Sequence, residues 1–139
     1  MANTSDADIE TLLDADTIAV IGCSGTPGKA AHDVPAYLQV RGYDVVPINP
    51  NREDILGRQA ADRLDEVTER VDLIDVFRPS EEVPGIVDAV VERAATRGDV
   101  EGLWLQLGIR DDEAAARARD AGLLVVQDRC LKVEHERRR

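Results

Sequence analysis

Apolar residues in this chain fall into short continuous runs that alternate with stretches of three-four spacing. Ile9, Leu12 and Leu13 share one helical face and predict a short N-terminal helix within residues 1–16. Thr17-Ile18-Ala19-Val20-Ile21-Gly22 is an unbroken, largely β-branched run closed by glycine, the pattern of a strand buried on both faces. After a loop from Cys23 to Lys29, the positions Val34, Tyr37, Leu38 and Arg41 predict a helix that Gly42 terminates. Asp44 to Asn49 reads as a second strand, and its Pro47, which has no backbone donor, predicts an irregular or edge position. A helical turn at Leu64 to Val67 leads into a third strand, Val71 to Phe77. The clearest helix carries Val83, Ile86, Val87, Val90, Val91 and Ala94 on one face and closes at Gly98. Strand four is predicted at Gly102 to Leu107, a helix at Asp111 to Ala121 and strand five at Leu123 to Gln127. Strands alternating with helices imply βαβ units with right-handed crossovers. The expected fold is α/β: one Rossmann-like domain over residues 1–139, a five-stranded parallel sheet with helices on both faces and residues 136–139 as a basic tail.

With 139 residues the chain suits one domain, and no repeat or linker divides it. Aromatics make up only 3 %, so Val, Ile, Leu and Ala must form the core. No run approaches the ~20 apolar residues of a membrane helix, and Met1 to Glu10 has no basic-then-apolar leader pattern, so a cytoplasmic location and no membrane partner are expected. Cys23 and Cys130 are too few for a disulfide framework, and their separation matches no zinc-type pairing. The net charge of −11 opposes nucleic-acid binding, which needs a clustered basic surface. Lys29 and Lys132 are the only lysines and Asp outnumbers Glu. That bias reads as halophile-like adaptation to a salt-rich cytoplasm, so the acidity describes the solvent rather than the ligand.

In an open parallel sheet, ligands bind beyond the carboxyl ends of the strands. The first such segment, Gly22-Cys23-Ser24-Gly25-Thr26-Pro27-Gly28-Lys29, places three glycines, two hydroxyls and a lysine between a buried strand and a helix. Glycines admit a phosphate close to the backbone, and the helix start adds unpaired N–H groups and a positive dipole end. The alternative is a plain tight turn. The glycine spacing departs from G-x-G-x-x-G, and strand two ends in Asn49-Pro50-Asn51 rather than in a ribose-binding acid. Lys29 is followed by Ala30, which departs from the Walker loop.

Taken in order, Ile18-Ala19-Val20-Ile21-Gly22-Cys23-Ser24 with Lys29, Val46-Pro47-Ile48-Asn49-Pro50-Asn51, Val71 to Arg78, Val83-Pro84, Leu103 to Ile109 and Asp128 to His135 resemble the small stand-alone CoA-binding proteins. Their domain is similar to the CoA-binding domain of the succinyl-CoA synthetase alpha chain. The resemblance covers nearly the whole chain and implies coenzyme A as cofactor. It implies that Gly22, Ser24 and Thr26 line the diphosphate along the loop that includes Cys23 and Gly25, with Lys29 pairing a phosphate. Asn49, Pro50 and Arg52 would lie near the adenosine and its 3′-phosphate. Val76, Phe77 and Arg78 would border the adenine or the start of the pantetheine arm, and Gln106, Gly108 and Cys130 would face the channel for the thiol end. The compact, glycine-rich loop departs from the family's longer form, which leaves the partner of Thr26 open.

Each of these residues has a plainer role beside it. Asn49-Pro50-Asn51 suits a turn, Arg78 is placed to pair with Glu81 or Glu82, Trp104 suits the core, and Cys23 suits buried packing. Cys130 beside Arg129 is either buried packing or a thiol of lowered pKa able to form a mixed disulfide with CoA. His32 and His135 complete no metal-ligand set and no nucleophile–base pair. The leading reading is a module that holds or senses CoA or an acyl-CoA without its own catalytic centre. The alternatives are the CoA-binding subunit of an acyl-CoA ligase, with a ligase-type partner chain, and an NAD(P)-binding sensor or reductase; a homodimer is open in each case.

Overall fold

The computed structural model describes residues 5–139. In chain order its elements are α1 (Asp6–Leu13), β1 (Thr17–Ile21), α2 (Ala30–Val40), β2 (Asp44–Ile48), β3 (Asp54–Ile55), β4 (Arg58–Gln59), β5 (Leu73–Val76), α3 (Val83–Arg97), β6 (Gly102–Leu105), α4 (Asp112–Asp120), β7 (Leu124–Val126) and α5 (Leu131–Arg138). Short 3₁₀ turns occupy Leu64–Glu66 and Ser80–Glu82. Five strands form a parallel sheet in the order β2-β1-β5-β6-β7, so the fold is the expected Rossmann-like α/β class.

β1 lies inside the sheet, with Thr17 to Ile21 opposite Asp44 to Ile48 on one side and Ile18 to Ile21 opposite Leu73 to Val76 on the other. Ile18, Ala19 and Val20 are buried, as a strand covered on both faces demands. One apolar layer joins Ala19, Ile74 and Leu103 to α3 and α4 through Val83, Val87, Val90 and Ala115. The opposite layer joins Val20, Leu73 and Trp104 to α1, α2 and α5 through Leu12, Leu38 and Leu131. Each fully buried Val, Leu or Ile contributes about 1.5–3 kcal/mol, so the two layers supply the main force of folding. β2 is an edge strand, which is where Pro47 belongs.

Two regions differ from the sequence expectation. Residues 49–61 contain a small β3–β4 hairpin turned through Leu56 and Gly57, both at positive φ. The C-terminal residues form α5 rather than a tail. Arg138 pairs with Asp6 at 3.1 Å and Glu134 at 3.2 Å, and Arg139 pairs with Asp14 at 2.8 Å, so these cations fasten α5 to α1. Strands three to five are also shorter at their ends than the apolar runs, because the outer residues of those runs continue as connecting loops.

Arg93 gives the loop before β5 its shape. Buried in α3, it donates to Asp99 at 3.0 Å and to the carbonyls of Leu64 at 3.1 Å, Val67 at 2.9 Å and Glu69 at 2.9 Å. Those bonds hold the 3₁₀ turn around Leu64 against the helix.

Candidate functional site

The direction of winding reverses between β1 and β5, so the crevice for a ligand opens where those two strands end. Gly22 stands there at φ +84°, a conformation that disfavours any side chain. Its N–H donates to the Ile48 carbonyl at 3.0 Å, and the Phe77 N–H donates to the Ile21 carbonyl at 2.9 Å. A Cβ on Gly22 would stand 2.9 Å from both Arg78 Cδ and the Phe77 carbonyl oxygen. Glycine here is a requirement of backbone angle and of space together.

Gly25 matters for a different reason. A Cβ on it would lie 2.5 Å from Arg52 Nη2 and 2.6 Å from Arg52 Cζ, so the guanidinium rests directly on the loop backbone. Ser24 accepts from the Thr26 N–H at 3.0 Å and donates its own N–H to the Ala31 carbonyl at 2.9 Å. The Gly28 N–H is taken by Asp33 at 3.1 Å. The His32 hydrogen bond and that Gly28 N–H hold the Asp33 carboxyl below its usual range. Lys29 occupies the position before α2 and makes no capping bond. Among the described residues, the N–H groups of Gly25, Ala30 and Ala31 donate to no other group of the chain.

The charges around this turn decide its character. Most basic side chains of the described residues are matched: Arg58 with Asp44 and Glu69, Arg117 with Asp88, Arg93 with Asp99, and Arg41 and Lys132 over the Tyr37 ring. Arg119 bonds the Val125 carbonyl, and Arg97 lies within electrostatic reach of Asp99. The side chains of Lys29, Arg52 and Arg97 form no ion pair, hydrogen bond or ring contact among the described residues, and of these three only Lys29 and Arg52 stand at this turn. In a chain of net charge −11, two unmatched cations share one glycine turn. The undonated amides and these two cations are donors of the kind a diphosphate requires.

Beside the turn a cleft of about 690 Å³ is lined by Gly22, Asn49, Pro50, Arg63, Arg78 and Ile86, among others. A neighbouring cleft of about 550 Å³ shares Pro50 and contains Arg52. The structure therefore gathers Gly22, Asn49, Pro50 and Arg78 around the larger cleft and puts Arg52 in the neighbouring one, against Gly25, while Ser24, Gly25, Thr26 and Lys29 line neither and continue the loop from Gly22 to α2. Asn49 serves the turn as well: its Nδ2 donates to the Cys23 carbonyl at 2.9 Å and its Oδ1 accepts from the Asn51 N–H at 2.8 Å. Arg78 pairs with Glu82, through Nε at 3.1 Å and Nη2 at 2.6 Å, rather than with Glu81.

The other named residues stand apart from both clefts. Val76 and Cys23 are buried in opposite apolar layers, and burial first, then the Asp75 charge, pushes the Cys23 thiol up to about 12. Phe77 is half-buried against the same layer as Cys23. Trp104 is wholly buried, and its Nε1 donates to the Arg129 carbonyl at 2.8 Å. Gln106, Gly108 and Cys130 lie at the ends of β6 and β7. The Gln106 Nε2 donates to Asp75 at 2.8 Å, the Gly108 N–H donates to Asp128 at 2.6 Å, and Cys130 precedes α5 partly exposed.

Asp75 and Arg63 are the residues that sequence reasoning did not single out, whereas Glu82 was expected only as a partner of Arg78. Asp75 is 0 % exposed in mid-strand, with one carboxyl oxygen unpartnered among the described residues. Burial pushes it up to about 7 even though Gln106 and the Val76 N–H oppose the shift. The signal for it was present: an acid inside an apolar run, Leu73-Ile74-Asp75-Val76. Among the described residues no cluster of His, Cys, Asp and Glu is arranged for a metal, and no helix is long and apolar enough to cross a membrane.

Comparison with known proteins agrees with this fold. The Bacillus subtilis (strain 168) protein YneT is 35 % identical over 136 residues, covering 97 % of each chain. The solved structure of cell-free ID.343 from Thermus thermophilus is 39 % identical, with a TM-score of 0.86 over 96 % of this chain and 98 % of that one. The fold alone is shared with the dinucleotide forming acetyl-coenzyme A synthetase 1 of Ca. Korarchaeum cryptofilum, at 24 % identity and TM-score 0.71, over 85 % of this chain and 26 % of that chain. A family model described as "CoA binding domain" matches residues 16–136, and on that match the chain belongs to the CoA-binding domain family.

Proposed function

We propose that this protein holds or senses coenzyme A, or an acyl-CoA, with no catalytic centre of its own. The observation that carries the reading is the pair of unmatched cations at the Gly22 to Gly28 turn, Arg52 packed against Gly25 and Lys29 at the start of α2. Bound CoA would supply a diphosphate to that turn, an adenosine to the crevice and a thiol at the far end of its arm. This chain's residues would anchor and orient the phosphates: Lys29 and Arg52 by charge, and Gly25, Ala30 and Ala31 by their amides. Among the described residues no nucleophile–base pair lines the crevice, so the reading assigns binding rather than bond-breaking.

Calorimetry with CoA, dephospho-CoA, NAD and NADP tests it. CoA should bind best, and Lys29→Gln should weaken it by about tenfold, the worth of one charge-assisted hydrogen bond. Equal affinity across the four cofactors would overturn the assignment.

A second reading is favoured by the fold shared with about one quarter of the acetyl-coenzyme A synthetase chain. Here the protein is the CoA-binding subunit of an acyl-CoA ligase whose other chain performs the chemistry. Co-purification with a larger chain, with ligase activity present only in the mixture, would establish that version.

A further inference from the structure

Arg78 belongs to the crevice by position and to Glu82 by bonding. Its stem lies on the Gly22 turn, where a Cβ would stand 2.9 Å from its Cδ. Its guanidinium is turned to the Glu82 carboxylate in a two-point pair, at 3.1 and 2.6 Å. Both side chains line the larger cleft and are 46 % exposed, so the pair faces the solvent through which a ligand would enter. Glu82 closes the 3₁₀ turn Ser80–Glu82 and directly precedes α3, which fixes it to a rigid element, whereas Arg78 lies on the loop after β5. The contrast with Lys29 and Arg52 is sharp, since those two cations have no internal partner.

We propose that the Arg78–Glu82 pair is an exchangeable latch, in which Glu82 competes with the ligand's diphosphate for Arg78 and so restricts the crevice to strongly anionic nucleotides. This rests on the diphosphate-binding reading of the Gly22 turn. A half-exposed pair is held weakly, because water screens the attraction and two long side chains must be ordered. A diphosphate offers more charge and the same fork-shaped acceptor geometry, so it can take the guanidinium where a singly charged anion cannot. Arg78 need only swing its head about a stem already seated at the turn. Displacing Glu82 costs every anion that takes Arg78 the same free energy, so only an anion that regains more from the guanidinium than Glu82 does makes the exchange. The latch makes Glu82 a specificity-determining residue rather than a ligand contact.

The test is a set of calorimetric titrations of the full chain with ADP, CoA and inorganic pyrophosphate. Glu82→Gln should tighten binding of each, by up to about fivefold, the most that an exposed ion pair withholds. Glu81→Gln removes the same charge from the same cleft without a bond to Arg78, and its effect should be clearly smaller. In an Arg78→Gln background, Glu82→Gln should give no more than Glu81→Gln gives there, because the coupling runs through Arg78. Equal tightening by both glutamine variants would reduce Glu82 to a background charge and overturn the latch. Weaker binding by Glu82→Gln would also overturn it, by showing that Glu82 orients Arg78 for the ligand. The CoA assignment fails separately, when CoA binds no better than ADP while the variant pattern on ADP persists. Absence of binding for all three probes in every variant sinks both.

Discussion

Gly25 shows how much one position settles at the residue scale. No positive φ is imposed on it, so alanine is tolerated by the backbone, yet the new Cβ would take the place of the Arg52 guanidinium. Gly25→Ala should leave the thermal midpoint nearly unchanged while weakening cofactor binding by about tenfold, matching Arg52→Gln, since each loses one charge-assisted contact. Calorimetry and a melting curve on both variants check this; a large loss of stability with intact affinity would refute it. Asp75 makes a prediction of the opposite kind. Its folded pKa of about 7 lies above the ordinary 3.8, so the folded state keeps a proton that the unfolded chain has already released. Stability from this group is therefore whole below pH 3.8, falls as pH rises, and is lost by about pH 7. Asp75→Asn should gain on the wild type as pH goes from 4 to 8. One pKa unit is worth about 1.4 kcal/mol, so urea unfolding resolves the trend, and a pH-independent difference would refute it. The glycines and Lys29 were legible in the sequence because their residue types are unusual where they stand. The closeness of Arg52 to Gly25 was not, because long side chains choose their contacts only once the loops are placed.

At the scale of elements, β1, α2 and α3 were readable because burial on both faces or on one stripe writes its period directly into the chain. The β3–β4 hairpin was not, since its turn is Leu56-Gly57, without the Asn-Gly or Asp-Gly that marks such turns. α5 was also missed: Leu131 to Arg138 is highly polar, residues 136–139 read as a basic tail, and the order of this helix comes from docking. Tyr37 Oη meets His135 Nδ1 at 2.8 Å, the Tyr37 and Tyr43 rings stand edge-on to the imidazole, and Arg138 and Arg139 pair with Asp6 and Glu10 of α1. Burial first, then the charges of Arg41 and Arg139, lowers the His135 pKa from its ordinary 6.5. The folded state thus resists a proton that the unfolded chain accepts, and stability falls as pH drops below 6.5. His135→Gln should gain on the wild type between pH 7 and pH 5 in melting curves. Unchanged spacing between the two curves would count against α5 docking through a neutral imidazole.

For the whole molecule, charge balance dominates. Acids exceed bases by 28 to 17, and nearly every Arg is already paired, so the excess carboxylates repel one another across the surface. Salt shortens the reach of that repulsion from about 10 Å at 0.1 M to about 3 Å at 1 M, while the exposed pairs it also weakens are each worth about 0–1 kcal/mol. The melting temperature should therefore rise between 0.1 and 1 M KCl, and a fall would show that ion pairs outweigh net repulsion. Sequence alone determined the strand and helix alternation, the class of sheet and the glycine turn at the end of β1, because these depend on periodicity and on residue types with narrow conformational roles. Only the tertiary structure decided which cations were left unmatched, that Arg78 is held by Glu82, and that Gln106, Gly108 and Cys130 stand away from the crevice at Gly22. Those outcomes depend on distances between segments remote in the chain, and such distances exist only after the sheet has set its order and the charged side chains have competed for partners.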